Sequence, residues 1–113
     1  MQLEIRKLYH DVLTACERLS RFTSGKSFGH YQVDEMLRAA VERQFEIIGE
    51  ALSKLAKLDA GEAARIPDLR AIVAFRNRII HGYDIVDDAV VWGVVIRKLP
   101  VLHDFVRSRM SEP

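Results

Sequence analysis

Cysteine is nearly absent: Cys16 is the single one among 113 residues. No disulfide can therefore form within one chain, and a zinc site built from several thiolates is excluded. Glycine and proline are scarce, at 6 and 3, and neither clusters, so no linker, repeat or low-complexity stretch divides the chain. Nowhere do about 18 apolar residues run together, and charges interrupt the segment from Met1 to Phe22 every few residues. That pattern argues against a signal peptide and a membrane span. An excess of one charge is lacking too, since 17 Lys and Arg against 16 Asp and Glu leave a net charge of +1. No global basic field surrounds the molecule, and any contact with RNA must come from a local cluster. With one cysteine and no membrane segment, a cytoplasmic protein is expected. The length suits one domain over 1–113 and is short for two cores.

What is present is helical periodicity. From Leu3 to about Phe22, Leu8, Val12, Ala15, Cys16 and Leu19 recur at three- and four-residue steps, the signature of one helix face. Thr23 to His30 is rich in turn formers and reads as a loop. A second helix is expected from about Asp34, a suitable N-cap, to about Leu58, with an apolar set of Leu37, Ala40, Val41, Phe45, Ile48, Leu52 and Leu55. Gly49 falls in its middle, at a cost of roughly 1 kcal/mol against alanine, which suggests close approach of a neighbouring helix. Asp59 to Pro67 reads as a connection. A third helix runs from about Asp68 to His81, with Gly82 as its stop. A fourth covers roughly Val86 to Arg109, with Asp84, Asp87 and Asp88 at its start and Pro100 expected to kink or divide it. The economical architecture is all-α, an up-and-down four-helix bundle.

The third helix carries the chemistry. At about 100° per residue, Ile72, Phe75 and Ile79 fall together, widened by Leu69, Val73 and Ile80. Arg70, Ala74, Asn77 and His81 fall opposite, with Arg78 beside them. Arg76 departs from this division, lying within the apolar arc and ~140° from His81. A charge there needs a partner or a wet cleft. It either forms an ion pair, with Glu46 or Glu50 of the second helix as candidates, or points into a groove and binds phosphate. His81 has two readings as well, a C-terminal residue interacting with the last carbonyls or a proton carrier. Asn77, one turn before His81, either orients the ring or is simply exposed. His10, His30, His81 and His103 are scattered, so no metal site and no cofactor is expected.

Arg76, four residues, His81, one residue and Tyr83 resembles the Arg-x4-His-x-Tyr signature of the HepT-like toxins within the HEPN superfamily. Phe45-Glu46-Ile47-Ile48-Gly49-Glu50-Ala51 is similar to that family's second-helix segment, Ile72 to Tyr83 followed by Asp84, Ile85 and Val91-Trp92 to its third-helix end and fourth-helix start, and Leu99-Pro100 to its Leu-Pro pair. The resemblance implies a metal-independent endoribonuclease, homodimeric with the site at the dimer interface. Its partner would be a minimal nucleotidyltransferase antitoxin able to transfer AMP to Tyr83. Arg76 and His81 would be catalytic, with Asn77, Arg78 and Arg70 supporting the substrate. The alternative is a non-catalytic nucleotide-binding or regulatory subunit of a nucleotidyltransferase, which would dimerise yet leave RNA intact. A plain structural bundle with a solvated polar face is the third reading.

Overall fold

The computed structural model describes residues 1–81 and 86–112. Among them the regular structure is all helical, with the order α1 (Leu3–Thr23), α2 (Phe28–Val33), α3 (Glu35–Leu58), α4 (Ala60–Ala63), α5 (Leu69–His81), α6 (Asp88–Arg97) and α7 (Leu99–Ser111). Four rods make the bundle: α1, α3, α5 and the α6–α7 pair. α3 packs on both α1 and α5, and α7 packs on α1. No described helix is long and apolar enough to cross a membrane.

The long elements follow their periodicity. The buried residues of α1 are Ile5, Tyr9, Val12, Ala15, Cys16 and Leu19. Burial pushes the Cys16 thiol up to about 12, so it sits as an inert small apolar group. Asp34 caps α3, its Oδ1 accepting from the Leu37 amide at 3.0 Å. The expected fourth helix divides rather than bends. α6 ends at Arg97, and Lys98 leads into α7, where Pro100 occupies the first turn, the position at which its missing N–H costs nothing.

Two segments expected to be irregular hold short helices. Within the expected loop, Ser27 opens α2 with a reciprocal cap, its side chain accepting from the His30 amide while His30 Nδ1 accepts from the Ser27 amide. This turn buries Tyr31 completely and tilts it against Trp92, centroids 5.4 Å apart. Within the expected connection, Asp59 Oδ1 accepts from the Glu62 amide at 2.9 Å and starts α4.

α4 supplies the main buried polar contact. The Glu62 carboxylate, 8% exposed, accepts from Tyr9 Oη at 2.6 Å and from Arg109 Nε and Nη2 at 2.9 and 2.7 Å. The paired guanidinium bonds hold its pKa below 4.5, against the opposing effect of burial and with help from the Tyr9 hydroxyl. Arg6 of α1 also donates to the Met110 carbonyl at 2.9 Å. The start of α1 therefore lies beside the end of α7 and beside the segment that follows α3, which makes α1 antiparallel to both.

Arg109→Met strips the guanidinium from a buried carboxylate. A Tm lower by several degrees at neutral pH is expected, read by thermal scans. Because the folded Glu62 pKa is depressed, the wild-type advantage is complete above 4.5 and fades as pH falls through the folded value. The Tm gap should therefore narrow on acidification; a gap that widens would contradict the assignment.

Candidate functional site

α5 is anchored on one face and open on the other. Ile72, Phe75 and Ile79 are buried, and Phe75 meets Phe45 of α3 edge-on, with centroids 5.2 Å apart and planes at 80°. Leu69 and Val73 are half-buried beside them. Ile80, expected to widen this stripe, is instead 40% exposed, because α3 covers a narrower band than the apolar arc of the wheel. On the other side Arg70, Asn77, Arg78 and His81 are all exposed, as their phase dictates.

Arg76 lies between the two faces, half-buried. The ion pair with Glu46 or Glu50, one of the two readings of this residue, is not formed. Glu46 pairs with Arg43 at 3.2 Å and Glu50 with Lys54 at 3.4 Å. Those cations stand three and four residues away on α3 itself, where helical geometry brings them into reach without tertiary help. Among the described residues Arg76 has no carboxylate within 4 Å. Its Nε is buried without a hydrogen-bond partner, and its Nη1 donates to Asn77 Oδ1 at 3.0 Å. Asn77 thus serves the guanidinium rather than the His81 ring. Of the residues singled out from the sequence, Arg76 and Asn77 are joined by a hydrogen bond, while Arg70, Arg78 and His81 stand as separate exposed groups on the same helix. Gly82 and Tyr83, with Asp84 and Ile85, lie outside the described residues.

The expected close approach at Gly49 has Arg76 as its occupant. A Cβ added at Gly49 would overlap the Arg76 Cβ and Cγ and sit 3.1 Å from its Cδ, so the arginine stem lies directly on the α3 backbone. Glu42, Glu46 and Gly49 follow one another at steps of four and three and form one stripe of α3. Burial pushes the Glu42 carboxyl above its usual range, with repulsion from Asp88 and Glu46 adding to the rise and Arg38 opposing it. Glu42 escaped notice in the sequence, where its only mark was the helical spacing to Glu46 and Gly49.

Chemically, the arrangement presents a guanidinium whose fork is not taken by a carboxylate among the described residues, two further exposed arginines and an exposed imidazole on one helix. Planar guanidinium groups suit phosphoryl oxygens, and an imidazole suits proton transfer near neutral pH.

Residues 12–109 match the family model described as Ribonuclease HepT-like. The chain is 30% identical over 107 residues to "Putative RNase TTE0752" of Caldanaerobacter subterraneus subsp. tengcongensis, covering 95% of each chain. It is 33% identical over 92 residues to "Probable ribonuclease HepT" of Thermococcus cleftensis, covering 81% of this chain and 83% of that one. It is 27% identical over 97 residues to "Putative RNase MJ0127" of Methanocaldococcus jannaschii, covering 86% and 79%. No solved structure matches the chain.

The two faces of α5 should separate on substitution. Phe75→Ala is expected to lower the unfolding free energy by ~3–5 kcal/mol, read by urea titration. Arg70→Ala and Arg78→Ala should each change it by no more than about 0.5 kcal/mol. A large loss at either arginine would mean that the exposed ridge is structural.

Proposed function

The chain belongs to the HepT-like ribonuclease family, and from that membership we propose that it is a metal-independent endoribonuclease toxin whose catalytic groups are Arg76 and His81. The observation that carries this reading is an arginine without a carboxylate partner among the described residues, on the same helix as an exposed histidine. A merely structural Arg76 would be expected to spend its fork on Glu46 or Glu50.

In the proposed reaction the 2′-hydroxyl of the RNA attacks the adjacent phosphorus. His81 takes the hydroxyl proton, the bond from phosphorus to the 5′ oxygen breaks, and a second imidazole protonates the departing 5′ oxygen. The products are a 2′,3′-cyclic phosphate and a 5′-hydroxyl. Arg76 holds the non-bridging oxygens as their charge builds, Asn77 steadies Arg76, and Arg78 and Arg70 take flanking phosphates. DNA lacks the attacking hydroxyl and is spared.

One protomer supplies one signature histidine. A two-fold pairing of α5 would supply the partner subunit's His81 as the second imidazole and set Arg76 of one chain near His81 of the other. The ~140° phase difference between the two on a single helix and the exposure of Ile80 beside His81 support such a homodimer. Regulation follows from the same placement. A minimal nucleotidyltransferase antitoxin would direct the Tyr83 phenol oxygen onto the α-phosphorus of a nucleoside triphosphate, pyrophosphate leaving. The attached AMP would add bulk and negative charge two residues from His81, excluding the substrate phosphate.

Purified protein incubated with single-stranded RNA in EDTA is expected to generate cyclic-phosphate ends. His81→Ala and Arg76→Ala should each slow cleavage at least ~100-fold. Cleavage that survives both substitutions removes these residues from the mechanism, and cleavage abolished by EDTA removes metal independence. Co-expression with the nucleotidyltransferase should add AMP mass to the wild type and not to Tyr83→Phe; equal labelling of both would place the modification elsewhere.

A further inference from the structure

We infer that Gly49 is a positioning residue for the arginine fork: its bare backbone is the seat that sets where the Arg76 guanidinium emerges. This rests on the catalytic reading of Arg76 given above. The argument begins with what a side chain at Gly49 would strike. The overlap falls on the Arg76 Cβ and Cγ, the root of the side chain and not its mobile end. No rotation about the arginine's own bonds moves its Cβ, so a methyl at Gly49 is accommodated only by shifting the α5 backbone away from α3.

A second observation concerns the fork itself. Because the stem is pressed onto α3, the Arg76 Nε is buried and has no partner among the described residues. The terminal nitrogens are the part left to act, and Nη1 is already steadied by Asn77 Oδ1 at 3.0 Å. Gly49 below and Asn77 at the tip therefore mount the guanidinium at two points. The edge-on Phe45–Phe75 pair, one residue before Arg76 on α5 and one helical turn before Gly49 on α3, fixes the same crossing from its apolar side. A rigid mount of this kind is what a reaction sensitive to displacements of about 1 Å requires. Glycine in mid-helix is otherwise a liability, and the close approach supplies the reason for it here.

The test separates packing from catalysis. Gly49→Ala is expected to lower Tm in the wild-type background and to raise it in an Arg76→Gly background, where the obstructing atoms are gone and alanine is the better helix former. A Tm increase in both backgrounds would overturn the seat. The catalytic arm uses RNA with a single phosphorothioate linkage, cleaved separately as its two diastereomers. The catalytic reading places Arg76 on the non-bridging oxygens from one side, so the wild type should favour one diastereomer and Arg76→Ala should lose the preference. Gly49→Ala should slow cleavage by about 100-fold and lose the preference as well. The ratio is independent of how much protein is folded. If Gly49→Ala keeps the wild-type ratio while Arg76→Ala loses it, the inference fails and the catalytic reading stands. If Arg76→Ala cleaves as the wild type does, the catalytic reading fails and the Tm pair still decides whether Gly49 seats the arginine.

Discussion

The crossing of α3 and α5 at Gly49 is the constraint on which the placement of α5 depends. There a helix backbone without a side chain receives the stem of Arg76. The contact sets the separation of the two helices, which in turn sets how deeply Ile72, Phe75 and Ile79 enter the core. It also decides which face of α5 remains outside. Held on α3 in this way, the Arg76 fork has one side-chain hydrogen bond among the described residues, from Nη1 to Asn77 Oδ1.

The polar ridge and the apolar anchor of α5 are two expressions of one helix repeat, but they are not equally costly. The anchor repays its ordering with burial, each large apolar side chain contributing about 1.5–3 kcal/mol. The ridge gains no such compensation. Its arginines and its histidine stand in water, where their interactions are weak and screened. α5 carries Arg70, Arg76, Arg78 and His81 and no acidic residue, which makes it a locally basic element in a chain with net charge +1.

Much of this was legible in the sequence. The spans of α1 and α3, the Asp34 cap, the division near Pro100 and the core residues of α5 all follow from periodicity and local chemistry. The misses have separate causes. α2 depends on a six-residue helix whose Tyr31 is buried by Trp92 far along the chain, and no local pattern encodes such a contact. α4 is a single turn raised by one Asp59 cap. The wheel puts Ile80 on the apolar side because it gives the direction of a side chain but not the width of the surface that covers it. The Arg76 problem was visible, as a charge within the apolar arc; its solution was not, because whether Glu46 and Glu50 are available depends on Arg43 and Lys54, which take them first.

The Glu62 carboxylate joins the first helix to the last, and α5 lies wholly inside the loop it closes. Glu62 and Arg109 are 47 residues apart in the chain, so during folding their meeting carries a loop-closure penalty paid in chain entropy. Until the guanidinium arrives, α4 holds an uncompensated negative charge at a place destined to be interior. The bundle is thus latched from its far end. Because Arg109 follows α5 in the chain, the contact that closes this loop can form only after α5 itself has been made.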